Sequence, residues 1–167
     1  MRSGAAQSPQ RTRSSNSTRA LPAIFWGGLA CGVFDITQAF VAWGLMGVKP
    51  VSILHHVASG LLGPKSFKGG AATAALGLVL HFVIAFGAAT TYWLASRKIR
   101  FMTDHAVISG LLFGEGVFLF MYFVVVPLSA APKGHFTIAT LITGPIGHMF
   151  LVGLPIALAV RHYSPAE

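Results

Sequence analysis

The sequence is poor in charged residues, and acids are the scarcest of them. Only 10% of its 167 residues are charged and only four are Asp or Glu, whereas an ordinary soluble domain carries about a quarter charged residues. Hydrophobic residues make up 54% of the chain. A globular surface cannot be covered by so few solvated side chains, so these proportions exclude an ordinary soluble domain and predict a single membrane-embedded one.

Cysteine is almost absent as well. Cys31 is the only one, so the chain cannot form an intramolecular disulfide or a thiolate metal cluster. The sequence also lacks a phosphate-cradling glycine loop and a nucleophile elbow, and no serine stands beside a catalytic base. These absences favour a protein that is not an enzyme.

Four long apolar runs are the main feature that is present. They cover residues 24–46, 70–94, 106–126 and 138–160. Each reaches the length of about 20 residues that a helix needs to cross a bilayer, and none alternates as a barrel strand does. The sequence therefore predicts an all-α integral membrane protein with four transmembrane helices, in a domain that covers residues 21–163.

Residues 1–20 have a different composition from the rest. They contain four arginines, no acid and few apolar residues. Such a stretch cannot bury enough surface to offset the entropy lost on ordering, so it predicts a disordered basic tail. An organelle transit peptide has a similar composition, but the charges here are not spaced along one helical face.

The basic residues are distributed unevenly between the two sides of the predicted bundle. The tail, the central loop and the C-terminus hold eight of the twelve, and the other two loops hold Lys49, Lys65, Lys68 and Lys133. Cytoplasmic loops of membrane proteins are enriched in Lys and Arg, so both termini are predicted to be cytoplasmic. Because the charges flank apolar runs, the net charge of +8 indicates the lipid bilayer as partner and not nucleic acid.

A short amphipathic segment, VSILHHVASGLL, separates the first two runs. Its twelve residues, 51–62, would rise about 18 Å as a helix, which is too short to cross a hydrocarbon core of about 30 Å. Ser52, His55, His56 and Ser59 recur at helical spacing on one face. The pattern predicts an interfacial helix whose imidazoles face lipid headgroups, and the alternative is a pH-sensitive or metal-binding rim.

Each apolar run also carries one ionisable residue near its middle: Asp35, His81, Glu115 and His148. An acidic side chain at a helix centre costs about 2.5–3.5 kcal/mol on insertion scales, so such positions rarely occur by accident. Small residues on the helical stripes of Asp35 and His81 predict that these two face protein and each other. Glu115 lies on a stripe of large apolar residues, which predicts a place at the edge of the bundle.

Gly110 and Gly114, one turn apart, predict the face on which the third helix packs closely against its neighbours, and Glu115 does not lie on it. The fourth helix has a mixed face, since Gly144 and Pro145 precede His148 and Pro155 follows it. A proline-induced kink is tolerated there if neighbouring groups satisfy the freed carbonyls.

Four interpretations of this ionisable set remain open. The first is a hydrogen-bonded pair that only fixes which helices touch. The second is a proton relay or ion path. The third is a metal site with two histidines and two carboxylates, which has acceptable ligands but no supporting motif spacing. The fourth is axial haem ligation by His81 and His148.

Three segments resemble a known group of proteins. ASGLLGPKSFKGGAATAALGLVLHFVIAF, FVVVPLSA and HMFLVGLPIALAVRHY are similar to a widespread group of small bacterial inner-membrane proteins of unknown function and, more distantly, to the YagU-like proteins. The resemblance runs from about residue 48 to residue 163. It implies a bacterial inner-membrane location and carries over His81 and His148 as pattern positions, but not Glu115.

The leading hypothesis is a small multi-pass membrane protein that handles protons or ions through a buried cluster of Asp35, His81 and His148. The alternative is a structural or assembly subunit that pairs with a second copy or another membrane protein. A haem- or metal-binding membrane protein is the third hypothesis, and no cofactor is expected under the first two.

Overall fold

The computed structural model describes residues 10–132 and 138–164, with side chains for 19–132 and 143–164, and this part of the chain contains no β-strand. Its α-helices are α1 (Gln10–Gly44), α2 (Pro50–Leu62), α3 (Gly70–Ser96), α4 (Phe101–Asp104), α5 (Ala106–Phe120), α6 (Val126–Leu128), α7 (Ile138–Gly147) and α8 (Leu154–Tyr163). A 3₁₀ turn, Gly63–Lys68, joins α2 to α3. Two π turns, Met121–Val125 and His148–Gly153, interrupt the last two long helices.

Four of these helical stretches are long and apolar enough to cross a membrane. We call them spans 1 to 4, and they cover Arg19–Gly44, Gly70–Ser96, Ala106–Leu128 and Thr143–Tyr163. The prediction of an all-α protein with four transmembrane helices is therefore confirmed. The short helix predicted at residues 51–62 corresponds to α2, with Pro50 at its first turn and Gly63 at its end.

The N-terminal tail differs from the prediction over part of its length. Residues 1–9 lie outside the described residues, but α1 begins at Gln10 and continues without a break into span 1. Helix nucleation is the costly step, and each further residue adds a backbone hydrogen bond at little cost. A packed span can therefore extend its helix outward into a segment that would not form one alone.

Each π turn ends just before a Val–Pro or Leu–Pro pair. The N–H of Val126 donates to the carbonyl of Met121, and that of Leu154 donates to the carbonyl of Met149, five residues back in both cases. Proline has no N–H, and its ring collides with the carbonyl four residues earlier. The wider π turn relieves this collision before Pro127 and Pro155, so spans 3 and 4 continue past their prolines.

The spans pack in a sequence that differs from their order in the chain. Span 1 contacts spans 2 and 4, and span 4 also contacts span 3, while α2 packs against span 2. Spans 3 and 4 approach most closely at Gly110, Gly114 and Gly153, where a Cβ on Gly153 would overlap the carbonyl oxygen of Gly110. This contact confirms that the packing face of span 3 runs through Gly110 and Gly114.

The buried residues are concentrated in one half of the bundle. Ala23, Tyr92, Ala106 and Val160, from the four spans, belong to one buried cluster at the end where α1 enters span 1. We call this the packed half and the other the open half. Beyond Ile36 on span 1 and Phe118 on span 3, and before Val152 on span 4, no described side chain of those spans is buried.

An apolar groove follows span 1 in the open half. It has a volume of about 690 Å³ and is lined by Val33, Phe34, Thr37, Gln38, Val41, Ala42, Leu45 and Leu151. Spans 1, 3 and 4 are therefore closely packed on one side of the midplane and loosely packed on the other.

The contact between spans 3 and 4 predicts different tolerance of a methyl group at two glycines. Gly153→Ala should lower the free energy of unfolding by about 2–3 kcal/mol, because the added Cβ meets backbone atoms that cannot move aside. Gly116→Ala is the control, since nothing lies within 4 Å of a Cβ at that position. Thermal unfolding of both variants in detergent checks this, and equal stability would contradict the assigned interface.

Candidate functional site

The candidate site lies where span 1 packs against span 2. Two glycines of span 1 each receive a phenyl ring from span 2: Phe86 covers Gly28 and Phe82 covers Gly32. A Cβ on either glycine would collide with the ring, so the absence of a side chain allows the helices to approach closely. This close approach brings Asp35, one turn beyond Gly32, next to span 2.

Asp35 and His81 face each other across this interface. His81 Nδ1 lies 4.0 Å from Asp35 Oδ2, and His81 Nε2 lies 2.9 Å from the carbonyl oxygen of Gly32. The histidine therefore contacts span 1 twice, once at the backbone and once at a carboxyl group. The structure brings together two of the four ionisable residues that the sequence places near the middle of the spans.

The hydrogen bond to Gly32 assigns a role to each nitrogen of His81. A carbonyl oxygen can only accept, so Nε2 must carry a hydrogen and donate it. A neutral ring then presents a lone pair from Nδ1 toward Asp35. If Asp35 were also ionised, this lone pair and the carboxylate would repel each other, so a proton on either group makes the contact favourable.

The pair lies at the border between the packed half and the open half. The side chain of His81 is 12% exposed and that of Asp35 is 24% exposed. Cys31, one turn earlier on span 1, is buried, and Gln38, almost one turn later, lines the groove of the open half. The carboxyl group is therefore the more accessible member of the pair.

His148 lies elsewhere on span 4 and forms a local contact. Its Nδ1 donates to the carbonyl of Gly144, 2.9 Å away and one turn earlier in the same helix. Its ring meets Phe118 of span 3 edge to face, with 5.3 Å between the ring centroids. With the hydrogen on Nδ1, the neutral ring keeps its lone pair on Nε2.

Glu115 is half-buried on span 3. It makes no hydrogen bond or ion pair with any described residue, which fits a place at the edge of the bundle. Among the described residues, no three His, Cys, Asp or Glu side chains are close enough to hold a metal ion. The four ionisable residues therefore do not form a single metal site, and only Asp35 and His81 form a pair.

A second buried polar contact was not singled out from the sequence. The Tyr92 hydroxyl of span 2 donates to the carbonyl of Met102, 2.8 Å away, and pairs with the Ser109 hydroxyl of span 3 at 2.7 Å. Tyr92 is fully buried. A tyrosine near a helix end is typical of residues at the membrane surface, so its sequence position gives no signal that it would link two spans.

The polar face of α2 points differently from the prediction. His55 and Ser59 are buried, Ser52 is half-buried and only His56 is exposed. His55 Nε2 donates to the carbonyl of Gly70, 2.8 Å away. The 3₁₀ turn causes this difference, because it folds α2 back onto the start of span 2 and the face with His55 meets protein instead of headgroups.

The packing of α2 against span 2 depends on another glycine. A Cβ on Gly77 of span 2 would overlap the carbonyl of Leu54 in α2, so the two backbones touch there. On the side of α2 opposite His55, Ile53 and Val57 are half-buried. The helix therefore packs the His55 side of its polar face against protein, while His56 remains exposed.

Comparison with known proteins yields no match: no protein-family model fits the chain, and no curated protein or solved structure is similar to it.

The two adjacent histidines of α2 give a matched test of its orientation. His55→Ala should lower the free energy of unfolding by about 1–2 kcal/mol, because it removes a buried ring and its hydrogen bond to Gly70. His56→Ala should change it by less than about 0.5 kcal/mol, since that side chain is exposed. Thermal unfolding in detergent measures both, and an equal loss from the two changes would contradict the inward orientation of His55.

Proposed function

We propose that this chain is a bacterial inner-membrane protein in which the Asp35–His81 pair binds and releases protons. One observation carries the proposal. The Nε2 hydrogen of His81 is engaged by the Gly32 carbonyl, while Nδ1 faces Asp35 Oδ2 at 4.0 Å in the middle of the spans. The only nitrogen of the ring that remains available for proton exchange is therefore the one directed at a carboxyl group.

Two protonation states of the pair are electrically neutral. In one, Asp35 is ionised and the His81 ring is a cation with hydrogens on both nitrogens. In the other, the ring is neutral and the carboxyl group carries the hydrogen. The two states differ by one proton moved between facing atoms, without creating net charge at a depth where an unpaired charge is expensive.

The position of the pair suits such exchange. Asp35 is the more exposed partner at 24%, and it borders the open half of the bundle. When the pair has lost its exchangeable proton, Asp35 is ionised and His81 is neutral; a proton that arrives from that side then meets the carboxyl group first, can pass to Nδ1 of His81, and leaves by the reverse route. His148 on span 4 keeps its Nε2 lone pair, because its Nδ1 hydrogen is held by Gly144, but no described contact joins it to the pair.

A structural or assembly role is the second candidate. Each of the polar contacts at Gly32, Gly70 and Met102 joins a side chain to a backbone carbonyl of another helix or loop. Such contacts specify which helices pair even where each contributes only about 0.6 kcal/mol. In this role the chain would pair with a second copy or another membrane protein, and proton exchange would have no part.

The location and orientation belong to the same proposal. The bacterial inner membrane is proposed from the resemblance to small bacterial inner-membrane proteins. Cytoplasmic termini are proposed because the eight basic residues of the tail, the central loop and the C-terminus outnumber the four on the other side.

Substitution of Asp35 distinguishes the two candidate functions. Asp35→Asn keeps a group that can hydrogen-bond to His81 but cannot exchange a proton at physiological pH, so proton flux into vesicles after a pH step should fall at least about tenfold. Its melting temperature should stay close to that of the unmodified protein. Asp35→Leu should also lower the melting temperature, because Nδ1 of His81 then loses its partner in a medium that supplies none.

Asp104→Asn is the matched control, since it makes the same chemical change at an exposed site outside the pair and should leave the flux unchanged. Vesicles with the unmodified protein that conduct no faster than empty vesicles would overturn proton conduction. The structural role predicts a different result: the unmodified protein gives no proton flux, Asp35→Asn has a normal melting temperature, and Asp35→Leu has a lowered one.

Orientation can be tested by labelling in intact cells. In a Cys31→Ala background, cysteines at the exposed positions Lys49 and Lys68 should react with a membrane-impermeant maleimide, and a cysteine at Lys98 should react only after lysis. The reverse pattern would mean that the termini face outward.

A further inference from the structure

The described arginines all lie at one end of the bundle, which also carries Lys98, and the other end carries only lysines. The four arginines whose side chains the structure describes, Arg19, Arg97, Arg100 and Arg161, all lie at the end of the packed half, at the ends of spans 1, 2 and 4. We call this the arginine end. The described cations of the opposite end are lysines, Lys49, Lys65 and Lys68.

This sorting matters because the two side chains bind anions differently. The guanidinium group is planar, is weakly hydrated and presents paired donors that match two oxygens of a phosphate. The lysine ammonium is a compact and strongly hydrated point charge. The arginine end therefore combines positive charge with the geometry that phosphate recognition uses. Within the described residues, Asp104 is its only acid.

The turn from span 2 into α4 mixes these cations with apolar side chains. Ile99 is 51% exposed and Phe101 is 47% exposed, and they alternate with Lys98 and Arg100. The Arg97 guanidinium lies over the ring of Trp93, 5.9 Å from its centroid. This alternation is typical of segments at the boundary between acyl chains and headgroups.

We infer that the arginine end binds the phosphate headgroups of anionic phospholipids, such as phosphatidylglycerol. The guanidinium groups contact the phosphates, while Ile99 and Phe101 contact the acyl chains of the same lipids. A nucleic acid or an acidic protein surface would match the charge but would leave these two side chains uncovered. The inference depends on the membrane location and is independent of proton exchange at Asp35 and His81.

The three tryptophans allow each end to be probed separately. Trp93 lies beneath Arg97, and Trp43 lies at the opposite end, near Lys49. A chain that retains only Trp93 (Trp26→Phe, Trp43→Phe) and one that retains only Trp43 (Trp26→Phe, Trp93→Phe) are reconstituted in vesicles. Lipids with brominated acyl chains quench the tryptophan they touch, so titration gives the binding constant of phosphatidylglycerol relative to phosphatidylcholine at each end.

The preference for phosphatidylglycerol should be about threefold to tenfold greater at Trp93 than at Trp43. In the Trp93 chain, Arg97→Gln, Arg100→Gln and Arg161→Gln together should reduce the relative binding constant most of the way to one, with Arg19 and Lys98 left in place. Lys49→Gln, Lys65→Gln and Lys68→Gln remove equal charge at the other end and should leave it unchanged. The same arginines changed to lysine keep the charge and should retain less than about half of the preference.

If the two single-tryptophan chains, with all their arginines in place, show the same preference for phosphatidylglycerol at Trp93 and at Trp43, the inference is overturned. A preference that the three Gln changes leave undiminished would overturn it too, and would assign the binding to other residues. Full retention with lysine would overturn the guanidinium contact.

Discussion

Close contact between helix backbones is the constraint on which this bundle depends. In a bilayer the surrounding lipid is as apolar as the helix surfaces, so burial of apolar side chains does not by itself drive helices together. Glycines allow backbones to touch at the junction of spans 3 and 4 and where α2 meets span 2, and they receive phenyl rings between spans 1 and 2. Dispersion at these contacts replaces the hydrophobic effect as the source of specificity.

The polar contacts depend on the same close approach. His81 reaches the Gly32 carbonyl only because Phe82 and Phe86 pack directly on the glycines of span 1. The Asp35–His81 pair is thus a product of helix packing and also stabilises it. The tyrosine–serine contact between spans 2 and 3 combines the two roles at the arginine end, where Tyr92 fills the core and bonds across it.

The sequence predicts the spans well because hydropathy and length depend only on local composition. The pairing of Asp35 with His81 was predictable too, since small residues mark the interacting face of both helices. His148 was not predictable in the same way, because its partner is a carbonyl of its own helix in a segment reshaped by Pro145 and Pro155. The burial of His55 depends on how the 3₁₀ turn directs α2, and residue periodicity gives the faces of a helix without stating which one meets protein.

Because the buried contacts of spans 1, 3 and 4 are concentrated at one end, these spans can move further at the other end. Spans 1, 3 and 4 are held together at the arginine end by buried side chains, whereas no described side chain at their far ends is buried. Span 1 extends from Ile36 to Gly44, about 12 Å beyond its last buried residue, so a tilt of about 10° moves its tip by about 2 Å. The Asp35–His81 pair lies next to the pivot, where the same tilt changes distances least. Motion of the open half can therefore alter access to the carboxyl group of Asp35 while its separation from His81 is preserved.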